Sequence, residues 1–376
     1  MLAKKSDVVI IGSGVAGLML AKKLSGLGIK VILIEREEHL SGGPSTRNQG
    51  WLHRGTYHAT SIVNRDAAIQ VSKRCIYGYN QIIGFAPEAV EDFFVESIAL
   101  LHDHSRVQDV IERWKECEVP HYPIEIAQLK SKYPEINTVH ISHAFIVRDL
   151  SINTRILYRK LLFECQKNTC EVFTSAQFSF LDRSTLSIQM PDDETIIIEA
   201  NLYIYAAGYS IKEIFQRHHN IELAVRFWKS HLLMVPKFSQ CMAFFLDPGE
   251  SGMMNHGNYS IIHLNEDAIL CGEPNYELIE EKVDNVKSAM SRLTHTALGD
   301  KYMPVACIKT DILDNQKTFR DLDVYLIEPL PNHLCCLPGK MTEAPYLTDI
   351  VTKVVYERLH DSTISYRPLD TWLHNK

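Results

Sequence analysis

The sequence predicts an α/β fold, passing to α+β where short strands crowd the later half, and three observations carry that expectation. Residues 7–35 hold a strand, a glycine-rich turn, a helix and a second strand in succession. Apolar and β-branched runs recur after residue 170, separated by turn residues. Near residue 340 a strand, a Pro-Gly turn and an apolar-faced helix follow one another.

The first stretch, DVVIIGSGVAGLMLAKKLSGLGIKVILIE, is the most informative. Val8 to Ile11 reads as a buried parallel strand, and Gly12-Ser13-Gly14-Val15-Ala16-Gly17 gives G-x-G-x-x-G. Leu18 to Leu27 has helical periodicity, and Lys30 to Ile34 is a second strand ending at Glu35. Gly12 permits the turn, Gly14 admits a pyrophosphate to the backbone, and Gly17 lets helix and strand pack closely. The N–H groups of Val15 and Ala16 open the helix, where its positive dipole end favours phosphate. Glu35 stands at the spacing of a ribose-binding carboxylate, about 20 residues on, and Arg36 adjoins it. A carboxylate there repels a 2′-phosphate, so FAD or NAD is expected rather than NADP.

Bulk properties narrow the function classes. A chain of 376 residues, 45% hydrophobic and 23% charged, suits two domains or one fold with an inserted module. The net charge of −7 excludes a general affinity for nucleic acid or anionic membrane. The apolar start carries the glycine motif and lacks a small-residue cleavage site, so it reads as a strand rather than a secretion signal. No apolar run reaches the roughly 18 residues of a transmembrane helix. The richest, Ala224 to Leu246, is broken by Arg226, Lys229, His231, Pro236 and Lys237 and reads as a strand pair. Nine cysteines without C-x-x-C or zinc spacing suggest reduced thiols and a cytoplasmic protein, with no metal. His218, His219, His102 and His104 read as solvated surface residues.

Further along, Ser41 to Gly50 is a polar, glycine-rich loop. Ala59 to Cys117 is expected to be mainly helical, with Phe93, Phe94, Ile98 and Leu101 at helix spacing, and Asp149 to Cys165 is another helix. Glu171 to Phe180, Thr185 to Met190 and Thr195 to Glu199 read as short strands. Ala200 to Gly208 is an apolar strand ending in small residues, where a planar ligand can approach the backbone. Glu277 to Leu293 and Tyr346 to Leu359 are the remaining helices.

Four segments together resemble the FAD-dependent D-amino-acid oxidase (DAO) superfamily, and within it the L-2-hydroxyglutarate dehydrogenase and flavin-linked glycerol-3-phosphate dehydrogenase branch. They are the βαβ unit; STRNQGWLHRGTY at 45–57, similar to the S-x-R/N…I-H-x-G segment of those dehydrogenases; YAAG at 205–208; and PGKMT at 338–342, like their G-G-K-L-T segment. The resemblance implies a Rossmann-like FAD-binding domain at 1–85, 150–210 and 325–376, with an interleaved β-rich substrate-binding domain at 86–149 and 211–324. It places Ser45, Thr46, Arg47, Asn48, Gly50, Trp51 and Leu52 against the cofactor. Val172 stands where adenine meets backbone, Ala207 and Gly208 beside FAD, and Gly339, Lys340, Met341 and Thr342 at the pyrimidine edge.

In such enzymes the flavin takes a hydride while a base removes a proton. His53 is the expected base, since imidazole titrates near physiological pH, and a covalent bond from it to the flavin is a variant. Tyr57 and His58 are expected to face the substrate, and Lys340 to balance charge on the reduced ring. Arg320 is the candidate clamp for a substrate carboxylate. Glycerol-3-phosphate dehydrogenases carry an arginine shortly after H-G-G, where this chain has Thr56, Tyr57 and His58, so a phosphate-bearing substrate is not expected. The expected function is oxidation of a small hydroxy acid or related CH–OH substrate, with the electron acceptor open. Oxidation of an amine or amino acid, including a biosynthetic intermediate, is the alternative. A nicotinamide-only dehydrogenase and a non-catalytic nucleotide-binding module are the more distant readings.

Overall fold

A computed structural model describes residues 2–91, 96–297, 299, 301–313, 320 and 322–360. The chain divides into two compact units: residues 1–46, 158–227 and 309–376 form the first, and residues 47–157 and 228–308 the second. The expected domain boundaries differ from this division, because 47–85 and 150–157 fall in the second unit and 211–227 and 309–324 in the first.

The first unit is built on a sheet started by β1 (Leu2–Ile11) and β2 (Val31–Ile34), joined by α1 (Val15–Gly26). β1 runs parallel to both β2 and Thr195–Tyr205, with Val8 opposite Val31 on one side and Leu202 on the other. Covered on both faces, such strands read as continuous apolar runs, and Val8, Val9 and Ile10 are fully buried. Glu171–Phe173 pairs parallel with β2, and His333–Leu337 pairs parallel with Thr195–Tyr205. The expected strand from Glu171 to Phe180 is thus two strands: its second part, Gln177–Phe180, turns away into an antiparallel hairpin with Thr185–Gln189. The helix Ala344–His360 follows the last strand of this sheet.

The second unit contains a nine-stranded, mainly antiparallel sheet and a small three-stranded sheet. In the small sheet, β3 (Trp51–Leu52) and β4 (Val90–Glu91) flank Leu150–Ile152. The helices α2 (Thr56–Ser61) and α3 (Arg65–Phe85) follow β3. The helix expected from Asp149 begins at Thr154, because Leu150–Ile152 is the middle strand of the small sheet.

Ile98 and Leu101 belong to a strand, β5 (Ser97–Leu101), not to a helix; Phe93 and Phe94 lie outside the described residues. All five residues of β5 are buried because the strand has a core on each face. Ile98 and Leu100 enter one apolar cluster and Ala99 and Leu101 the other. Without a polar face there is no two-residue alternation to read, and a spacing of three is left to suggest a helix.

Candidate functional site

In the first unit the glycine turn is a backbone cradle. Gly12 has φ +101°, and a Cβ on it would lie 2.7 Å from the Ala206 carbonyl oxygen. A Cβ on Gly17 would lie 1.9 Å from the Gly12 carbonyl oxygen, so the helix packs against the turn only without a side chain there. Gly14 is the N-cap of α1 and makes no side-chain cap hydrogen bond, and the first turn holds no acidic residue. This helix start suits the phosphates of a dinucleotide.

The flanking loop is tied to the cradle by hydrogen bonds of its serines, of which only Ser45 stands in a segment that the sequence sets against the cofactor. The Ser45 hydroxyl accepts from Val15 N–H at 2.9 Å, and Tyr158 donates to the Ser45 carbonyl at 2.8 Å. Ser41 donates to the Ser13 carbonyl, and Thr46 to the Ser41 carbonyl. Glu35 ends β2 with one oxygen accepting from Ser13 and the other from Glu37 N–H. Arg36 donates to the Tyr209 hydroxyl at 3.2 Å, just beyond Ala207 and Gly208. Val172 lines an open cleft of about 390 Å³ together with Glu38, His39, Leu40, Leu162 and Thr174. A cleft of that size beside the end of β2 suits a purine base.

Gly339, at φ +65°, leaves no room for a Cβ, which would stand 2.5 Å from the Asp323 carbonyl oxygen. Arg320 donates to the Gly339 carbonyl and so braces this turn. The Lys340 ammonium lies 2.5 Å from the Glu343 carboxylate and 3.2 Å from the Leu322 carbonyl. Its charge is shared with a buried acid, a partner that three-residue spacing after a Pro-Gly turn does not announce. Met341 and Thr342 form the short turn leading into the last helix.

The second unit gathers the other candidates on one segment. Asn48 accepts from Gly50 N–H at 2.7 Å, and the Arg47 guanidinium lies over the Tyr276 ring at 4.4 Å. Trp51 and Leu52 pair with Ser151 and Leu150. His53 is buried, stacked on Trp51 at 4.2 Å and edge-on to His58 at 4.4 Å. The Tyr57 hydroxyl donates to the Asn265 carbonyl at 3.1 Å; burial first, then Asp267, pushes it above the usual phenol range. His53, Tyr57 and His58 thus form one packed group with Trp51.

Asp149 joins the same segment, a role that the sequence does not signal. Its carboxylate accepts from Arg54 N–H, and the polar ends of the Thr56 and Trp51 side chains lie near it. Burial pushes its carboxyl up to about 6 against these neighbours and the Arg54 charge. In the sequence, Asp149 reads only as the polar start of the helix expected to Cys165, which marks no such role.

The surface reading of the histidines needs correction. His219 sits in an aromatic group, donating to Tyr205 at 3.0 Å, and burial with the neighbouring His333 and His218 lowers it to about 4. His218 stacks on Phe178 and His102 on Phe245, whereas His104 is exposed. His218 and His219 end the nine-residue helix Ile211–His219, whose last turn lies against Phe178, Phe180 and Tyr205. Among the described residues, no group of three or more His, Cys, Asp or Glu side chains is arranged to hold a metal ion, and no helix is long and apolar enough to cross a membrane.

Residues 7–327 match the family described as FAD dependent oxidoreductase. A 94-residue stretch is 30% identical to one subunit of the anaerobic glycerol-3-phosphate dehydrogenase of Escherichia coli, covering 23% of this chain and 17% of that protein. The chain therefore spans about a sixth of the length of that curated relative. Glycine oxidase from Geobacillus kaustophilus is similar in fold, with a TM-score of 0.73 and 15% identity over 98% of each chain. L-α-glycerophosphate oxidase from Mycoplasma pneumoniae with FAD bound gives 0.73 at 13% identity, over 97% of this chain and 96% of that one.

Proposed function

The chain belongs to the FAD-dependent oxidoreductase family, and from that premise we propose that it oxidises a small hydroxy acid or related CH–OH compound. The observation that carries the cofactor is the glycine cradle, whose turn, helix start and Glu35 fit the ADP half of FAD. Support for the substrate class comes from the H-x-G-x-Y pattern of His53 to Tyr57, which lacks the phosphate-holding arginine.

When bound, FAD supplies the hydride acceptor. The roles of the chain's own residues are separate. Gly12, Gly14, Val15, Ala16, Gly17, Glu35, Arg36 and Ser45 hold the ADP half, and Val172 lines the base cleft. Gly339 to Thr342 offer backbone and the Lys340 ammonium to the pyrimidine edge. His53 removes the proton from the substrate hydroxyl, its ring fixed between Trp51 and His58. Tyr57 and His58 orient the substrate. Arg320 is proposed to steady its carboxylate through the turn that it braces. All nine cysteines are thiols, eight of them buried, which supports a reducing compartment such as the cytoplasm.

Anaerobic mixing of the purified yellow protein with panels of hydroxy acids, polyols, amines and amino acids tests the reading. Flavin bleaching by a hydroxy acid is expected. Bleaching by amines or amino acids alone overturns the CH–OH assignment, and a protein that takes up no FAD overturns the whole reading.

A further inference from the structure

The segment that carries His53 is gripped, three residues earlier, by a histidine and a glutamate. His256, at the end of the strand Ser251–His256, points Nε2 at the Gln49 carbonyl oxygen, 2.7 Å away, and Nδ1 at a Glu91 carboxylate oxygen, 3.2 Å away. The Gln49 carbonyl only accepts, so Nε2 is the donor of that hydrogen bond, while Nδ1 stands within ion-pair distance of the Glu91 carboxylate. Burial pushes that carboxyl up, but His256, the Asn153 amide and Gly257 N–H together hold it below its usual range.

Gly50 shows how closely the ring is applied. It has φ +67°, and a Cβ on it would lie 2.4 Å from His256 Cε1 and 2.7 Å from the Ile152 carbonyl oxygen. The Gly50 carbonyl in turn accepts from Ile152 N–H at 2.8 Å. The Gln49–Gly50 peptide is therefore clasped between the His256 ring and the small sheet, immediately before Trp51 begins β3. Glu91 is anchored at its other oxygen by Asn153 at 3.0 Å. The Tyr259 phenol stacks on the ring at 5.4 Å and itself feels the charge of Arg155.

We propose that His256 and Glu91 are a positioning pair, whose contacts fix the Gln49–Gly50 peptide and so set the placement of Trp51 and His53. The clamp stands on its own geometry, while its effect on turnover rests on the reading of His53 as the base. A buried carbonyl that loses its donor pays the desolvation cost in full, so removal of the ring loosens the segment.

Hydrogen exchange of the peptide covering residues 47–56, followed by mass spectrometry in the FAD-loaded protein, reads the clamp directly. At one fixed pH, His256→Phe keeps a ring but donates nothing to Gln49, and protection of this peptide is expected to fall about tenfold. His256→Gln still reaches the Gln49 carbonyl with a donor and should restore most of that protection. Glu91→Ala releases the ring from its other side and should lower protection in the same peptide. Wild-type protection in His256→Phe overturns the proposal, as does wild-type protection in Glu91→Ala, which decides the question if His256→Phe misfolds. Anaerobic flavin reduction measured alongside separates the two readings: a normal rate in His53→Asn sinks the base assignment and leaves the exchange result untouched.

Discussion

Glu35 accepts two hydrogen bonds from Ser13, from the backbone N–H at 3.0 Å and from the hydroxyl at 2.6 Å. The same hydroxyl accepts from Ser41 N–H at 3.0 Å, so one side chain orients the ribose carboxylate and the neighbouring loop together. Ser13→Ala removes both links within the cofactor cradle. A charge-assisted hydrogen bond contributes roughly 1.5–3 kcal/mol, so FAD affinity should fall about tenfold or more. Titration of FAD into the stripped protein checks this, and unchanged affinity refutes it.

Gly17→Ala places a methyl group 1.9 Å from the Gly12 carbonyl oxygen, both ends being backbone. Neither side can yield without moving the helix from the sheet. Overpacking of this kind costs about 3 kcal/mol or more, and the purified variant should be colourless with a lowered Tm. A yellow variant of normal Tm contradicts the close packing described.

His53→Asn keeps the ring-sized contact with Trp51 in part and removes the base. General-base catalysis contributes on the order of 10²–10⁴-fold, so the anaerobic rate of flavin reduction should fall by that range while bound FAD is retained. Rapid-mixing absorbance measures both. A fall of less than about tenfold moves the proton transfer to another group.

Asp149 gives a pH signature of definite sign. Its carboxyl stands at about 6 in the folded chain against 3.8 for the ordinary group, so the folded state keeps the proton while the unfolded chain releases it. Stability is therefore lost as pH rises from about 4 to about 6, by about 3 kcal/mol from this group. Asp149→Asn cannot ionise. The difference in unfolding free energy between wild type and variant should shift against wild type by that amount between about pH 4 and 7. A pH-independent difference means the carboxyl is not raised.

Tyr205 links two histidines with a fixed direction of donation. His333 Nε2 faces the Arg183 carbonyl and must donate, which leaves Nδ1 to accept from Tyr205, and the Tyr205 oxygen to accept from His219. Tyr205→Phe strands both inner nitrogens and should cost about 2 kcal/mol or more. Burial lowers both histidines, so the unfolded chain takes up protons first and stability falls as pH drops from about 6.5 to about 4. Thermal unfolding of His219→Gln beside wild type should show a shallower acid slope; an equal slope excludes His219 as a contributor.

What is legible in the sequence follows from local need. The cradle requires glycine at positions a few residues apart, so its strand, turn, helix and acid appear in order within one short stretch. Lys340 and Arg320 are legible as residues but not as partners, because Glu343 and the Gly339 carbonyl meet them only once the turn is formed. Asp149, Glu91 and His256 are not legible at all. Each acts on the segment from Gln49 to Arg54 across sheet pairings that join distant parts of the chain, and none occupies a spacing that marks chemistry. β5 reads as helix for a related reason, since burial on both faces removes the alternation that identifies a strand.

The interleaving of the two units also sets a timetable. The strand Thr195–Tyr205 has His333–Leu337 as its parallel neighbour, and the cradle glycines at residues 12–17 lie against the end of Thr195–Tyr205. During synthesis the nucleotide turn therefore leaves the ribosome long before the strand and the Gly339 turn that complete its sheet. A nascent chain that has emerged as far as Ile308 holds a whole second unit and an unfinished first one, with apolar strand surface still uncovered. Completion of the flavin cradle is consequently a late event in the birth of this protein, and the edge of Thr195–Tyr205 stays open until the last strands arrive.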